Sequence, residues 1–125
     1  LISALKSVKF SYNSYTMNMP SIVAGVAAIK DDEYFKEIVS KIITTRENAK
    51  IKLKELGFDF ADSKTNFIFA KHNTVKAEFI FEELKKRKIY VRYFNKPRIN
   101  NYLRITIGTD DEMNQLYDAL KEILG

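Results

Sequence analysis

The sequence has 125 residues, of which 46% are hydrophobic, carries a net charge of +5 and contains no cysteine. That length supports a domain with a real core, and the lack of cysteine excludes a disulfide scaffold or a thiolate metal site. No apolar run is long enough to span a bilayer and no secretory signal is visible, and the lack of cysteine permits a cytoplasmic location without proving it.

Residues 1–9 read as the middle of an amphipathic helix with no capping residue before it. Because the chain opens on Leu1 rather than Met, an excised C-terminal piece of a longer protein is expected. Residues 11–20 are polar and aperiodic, as in a loop. Residues 21–30, with Ile22, Val23, Val26, Ala27 and Ile29, suit a short buried helix. Residues 32–56 predict a long helix, since Phe35, Ile38, Val39, Ile42, Ala49, Leu53 and Leu56 recur at helical spacing. Acids sit at its start, lysines near its end, and Gly57 supplies the stop.

Residues 58–61 suggest a short strand and 66–70 a stronger one. Thr74 opens a predicted helix that runs to Arg87, with Ile80 and Leu84 inward. Two alternating runs follow, 89–94 and 102–109, joined by a stretch that holds Pro97 and adjacent asparagines. They predict a hairpin. Ile89, Val91 and Tyr93 share one face of the first run, and Leu103, Ile105 and Ile107 share one face of the second. Thr109-Asp110-Asp111-Glu112 is a capping box. It opens a last helix whose stripe is Met113, Leu116, Tyr117, Leu120 and Leu124.

From residue 32 the order is helix, strand, helix, strand, strand, helix. An α+β fold follows, with a small, mostly antiparallel sheet and helices packed on one face. The alternation puts Arg92 and Arg104 together on the uncovered face. Two guanidiniums there repel each other unless an anion lies between them, and their planar fork suits a carboxylate or phosphate.

Val91-Arg92-Tyr93-Phe94 and Leu103-Arg104-Ile105-Thr106-Ile107-Gly108-Thr109-Asp110 resemble the C-terminal end of the histidinol-phosphate aminotransferases. These are pyridoxal-phosphate enzymes of the fold-type I class. Lys9-Phe10-Ser11-Tyr12-Asn13, Asp31-Asp32-Glu33-Tyr34-Phe35 and Ser63-Lys64-Thr65-Asn66-Phe67-Ile68 are similar to successive family segments, so the resemblance spans essentially the whole chain. Ser11 stands where the family often has Pro, and Tyr15 to Pro20 depart from its pattern.

The resemblance implies that residues 32–125 form the small C-terminal domain and that 1–31 continue from a large cofactor-binding domain. It implies that Arg104 binds the anionic end of an amino-acid-like substrate and that Arg92 is a second anion-binding arginine, for the substrate phosphate; which of the two holds which group in each half-reaction is left open. Asn66, Tyr12 and Asn13 are possible site-lining residues; for Asn66 the structural role of terminating its strand is the favoured reading. The implied reaction of the full-length enzyme is amino transfer between L-histidinol phosphate and 2-oxoglutarate in histidine biosynthesis, by a homodimer. Sister enzymes of the class, a threonine-phosphate decarboxylase or another amino-acid aminotransferase, remain open.

The cofactor lysine of the class lies in a Ser-x-x-Lys or Ser-Lys segment followed by a glycine-bearing loop. Here Ser63-Lys64 runs straight into a strand, Ser40-Lys41 sits mid-helix, and there are only four glycines. The chain is therefore expected to hold no catalytic residue and no pyridoxal phosphate, and to be inactive alone.

A basic RNA-binding α/β module is the reading from another class. The lysines are spread over helices, as solvated faces are, and the aromatic residues Phe67, Phe69, Tyr90, Tyr93 and Tyr102 lack the glycine-flanked signature of an RNA-stacking sheet. Nucleic acid is not expected as a partner. Asp110, Asp111 and Glu112 are explained by capping and the helix dipole, so no metal site is expected. His72, in a polar stretch, is expected to be an exposed turn residue.

Overall fold

Among the residues that the computed structural model describes, 1–12 and 15–125, there are five helices and four strands. In chain order they are α1 (Ile2–Tyr12), α2 (Met19–Lys30), α3 (Asp32–Glu55), β1 (Phe58–Phe60), β2 (Phe67–His72), α4 (Ala77–Lys86), β3 (Arg92–Tyr93), β4 (Leu103–Thr106) and α5 (Asp110–Leu124). The chain divides into two units, Leu1–Glu37 and Ile38–Gly125.

In the first unit α1 reaches Tyr12, beyond the predicted helix, and α2 begins at Met19, so the expected loop is shorter. The Asn18 side chain accepts from Ser21 N at 2.9 Å and Pro20 sits in the first turn. Both are N-terminal signals, one satisfying an orphan amide and the other presetting φ. The expected burial of α2 is corrected: none of its residues is buried, and Ile22, Val23, Val26 and Ile29 are all exposed. Apolar, Ala-rich composition favours the helix by propensity, but burial needs a partner surface as well.

The second unit is built on one antiparallel sheet in the order β1-β2-β4-β3. Side chains alternate across a strand, so register assigns the faces. Ile68 pairs with Ile105, and Leu103 with both Ala70 and Tyr93. Ile68, Ile105, Ala70 and Leu103 are buried with Leu53 of α3, Ile80 and Leu84 of α4, and Leu116 and Leu120 of α5. The opposite parity carries Phe67, Phe69, Arg92, Arg104 and Thr106. The predicted α+β class, antiparallel sheet and single helix-covered face are as the sequence indicates.

Several local expectations change. The hairpin's first arm keeps only two residues in β3. α4 starts three residues after Thr74 because His72 intervenes: its Nδ1 accepts from Val75 N at 3.0 Å and Thr74 N at 3.3 Å, which turns the chain before the helix. His72 itself is not an exposed turn residue. It ends β2 half-buried, with Nε2 3.0 Å from the Leu56 carbonyl and its ring edge-on to Phe58 at 5.1 Å. An acceptor at Nδ1 and a donor at Nε2 describe the neutral imidazole, with both nitrogens occupied. Gly57, after α3, has φ +80°, and a Cβ there would lie 3.0 Å from His72 Nε2.

Along α3, Ala49 and Leu53 are buried as predicted, Phe35 is exposed, and Thr45 and Arg46 are buried in addition. The capping box forms: Thr109 Oγ1 accepts from Glu112 N at 3.3 Å, while Glu112 Oε2 accepts from Thr109 N at 2.8 Å.

Candidate anion-binding face

The uncovered sheet face is organised by alternation along β2 and β4. Arg104 is the Cα partner of Phe69 on one side and of Arg92 on the other. Both arginines are exposed, and among the described residues neither guanidinium has a carboxylate partner. Each instead lies over an aromatic ring. Arg92 Cζ is 5.4 Å from the Phe94 centroid and Arg104 Cζ is 5.4 Å from that of Phe67. Such contacts hold a guanidinium plane while leaving its N–H edge free for a planar anion.

Beside these, Phe69 stacks on Tyr102 at 4.6 Å and meets Phe94 edge-on at 6.1 Å. Phe69 and Tyr102, with Phe67, Ser63, Thr65 and Arg98, line an open cleft. The aromatic rings of this face are thus engaged with one another or with cations.

Asn66 lies just before β2, exposed, and its backbone carbonyl accepts from Ile107 N at 2.8 Å. It therefore ties the head of β2 to the end of β4. Tyr12 ends α1; its side chain and Asn13 fall outside the described residues. Among the described residues no group of three His, Cys, Asp or Glu is placed to hold a metal.

The segment at the head of β2 is held by an ion network that the sequence reading missed. Lys50 Nζ donates to Glu47 at 3.0 Å and to Asp62 at 2.5 Å, and Lys64 pairs with Asp62 at 3.0 Å. These hydrogen bonds, from Lys50 first and Lys64 second, hold the Asp62 carboxyl down at about 2. Lys50 and then Arg46 likewise lower Glu47. The signal was present in the spacing, since Arg46 falls on the same stripe as Ile42, Ala49 and Leu53.

Neither Ser-Lys lysine suits attachment of a cofactor. A nucleophilic lysine is activated by desolvation or by a neighbouring cation. The Lys64 side chain is 76% exposed and paired with Asp62, and Lys41 is exposed in the middle of α3. Neither lysine shows the activation that attachment of pyridoxal phosphate needs.

Residues 1–120 match the aminotransferase class I and II family, and the chain belongs to that family. It is 55% identical over 124 residues to the histidinol-phosphate aminotransferase of Brachyspira hyodysenteriae and 52% identical to that of Clostridium acetobutylicum. Each match covers 99% of this chain and 35% of the relative, so the chain spans about a third of their length. The crystal structure of histidinol-phosphate aminotransferase from Sinorhizobium meliloti in complex with pyridoxal-5'-phosphate matches with a TM-score of 0.80 and 28% identity, over 90% of this chain and 31% of that one.

Proposed function

We propose that this chain is the small, substrate-binding domain of a histidinol-phosphate aminotransferase, with residues 1–31 leading from the large domain. Such an enzyme moves an amino group between L-histidinol phosphate and 2-oxoglutarate. The observation that carries the reading is the pair of opposed, unpaired guanidiniums of Arg92 and Arg104 on the uncovered sheet face, in a chain 55% identical to an enzyme of that name.

On this reading Arg104 takes the carboxylate of the amino-acid-like partner through two parallel N–H donors, and Arg92 takes a second anion, the phosphate. Phe67 and Phe94 hold the two planes, and the cleft beside Phe69 and Tyr102 forms one wall of the substrate site. Pyridoxal phosphate supplies the electron sink of the reaction and is bound by residues other than those of this chain. The chain alone is therefore inactive. The working enzyme is a cytoplasmic homodimer acting in histidine biosynthesis, as the resemblance implies.

Substrate profiling of the full-length enzyme tests the assignment. L-Histidinol phosphate with 2-oxoglutarate should give the highest kcat/KM in a panel that includes L-threonine phosphate and the aromatic amino acids. Decarboxylation of threonine phosphate, or a higher kcat/KM for a plain amino acid, would move the chain to a sister enzyme.

A further inference from the structure

We infer that Arg46 is a positioning residue for the anion site, holding the head of β2 so that Phe67 sets the guanidinium of Arg104. The inference rests on the reading of Arg104 as a substrate-binding arginine.

Arg46 lies within the helix layer and is 6% exposed. Its Nε and Nη2 donate to Glu47 Oε1 at 3.0 and 2.8 Å, which leaves Nη1 to donate to the Thr65 carbonyl at 3.2 Å. One helical turn further on, Lys50 holds Asp62. The segment between β1 and β2 is thus pinned at Asp62 and at Thr65 to a single stretch of α3.

Inside that segment the constraint passes to Phe67. Ser63 Oγ donates to the Phe67 carbonyl at 2.6 Å and Thr65 Oγ1 donates to the same carbonyl at 3.1 Å. Phe67 N returns a bond to Thr65 Oγ1 at 3.3 Å. The Phe67 ring then lies under Arg104. Arg46, Thr65, Phe67 and Arg104 form one connected path from the helix layer to the uncovered face.

Energetics favours a directional role. A guanidinium taken out of water is expensive, and an apolar side chain of similar volume often serves stability as well or better. What an arginine adds is a rigid set of donors that fixes a chosen carbonyl and a chosen carboxylate at once. Here the chosen carbonyl is that of Thr65, two residues before the ring that carries Arg104.

A double-mutant cycle in the full-length enzyme tests this. Arg46→Gln should raise KM for 2-oxoglutarate about tenfold, within the range of couplings between connected side chains, while kcat changes by less than about twofold. In the Arg104→Ala background Arg46→Gln should add nothing to KM, since the group it positions is gone. Arg46→Lys keeps the charge and a donor, should melt close to wild type and should recover part of the KM. A KM loss that multiplies undiminished in the Arg104→Ala background, or a fall in melting temperature with KM unchanged in both Arg46 variants, would overturn the inference. If Arg104→Ala itself leaves KM unchanged, the substrate-binding reading of Arg104 is what fails.

Discussion

Arg92 and Arg104 stand directly opposite each other across β3 and β4, and each rests on an aromatic ring instead of an acid. Like charges in opposed cross-strand positions destabilise a sheet by a few tenths to about 1 kcal/mol. The rings offset part of this through their negative faces. The fold therefore presents two cations that are held in place but not neutralised, and an anion arriving between them relieves a repulsion already present.

Arg104→Ala in the full-length enzyme should lower kcat/KM far more than stability. Removing a charge-assisted, bidentate contact costs about 2 to 4 kcal/mol, or about thirty- to a thousand-fold in rate. Arg104→Lys should recover only part, because an ammonium lacks the fork. Steady-state kinetics with both substrates beside thermal melts decides it; near-wild-type efficiency in Arg104→Ala would show the site is misplaced.

Arg92→Gln should separate function from stability in the opposite sense. It removes one of two repelling charges from the edge of the sheet, so the melting temperature should hold or rise by a degree or two, about what a few tenths of a kcal/mol gives. KM for L-histidinol phosphate should rise at the same time. A lowered melting temperature together with an unchanged KM would contradict the role given to Arg92.

Borohydride reduction after mixing the 125-residue chain with pyridoxal phosphate, followed by peptide mapping, should show scattered partial labelling of surface lysines. Lys64, paired with Asp62 and exposed, has nothing to activate it. One lysine labelled stoichiometrically would mean that the chain carries its own cofactor attachment.

Tyr117 makes a pH prediction. Burial first, and the charge of Asp110 second, push its hydroxyl up to about 12 from the ordinary 10.0. A raised value means the folded state keeps its proton longer than the unfolded chain does. The contribution is complete below pH 10 and is lost as pH climbs toward 12. Denaturant midpoints measured across that window should fall in the wild type and fall less in Tyr117→Phe, which keeps the ring. Equal declines would show that other groups govern alkaline unfolding.

The parts of the fold that were legible are those where local chemistry and burial agree. β4 alternates without exception, and α5 has both its capping box and its apolar stripe, so each was readable from the residues alone. The arginine face followed from the same alternation. α2 misled because apolar composition indicates a preference for burial without naming the surface that supplies it. His72 misled because its shorter hydrogen bonds run to backbone groups at Leu56, Thr74 and Val75, and backbone partners leave no trace in side-chain pattern. The Arg46 network left a fainter mark: a charge on a helix is usually solvated, and only its place on the apolar stripe of Ile42, Ala49 and Leu53 marks it as inward.

The two outer strands of the sheet are its shortest, at three residues in β1 and two in β3. Each carries a charge on the open side, Asp59 on β1 and Arg92 on β3. β3 is flanked by Lys88 at φ 62° and Arg98 at φ 72°, left-handed residues that bend the chain away from an extended path. A neighbouring molecule thus finds no long, flat ladder of free amides and carbonyls on which to add a strand. The protein can keep an uncovered sheet face open to small anions without offering its rims as templates for fibrous growth.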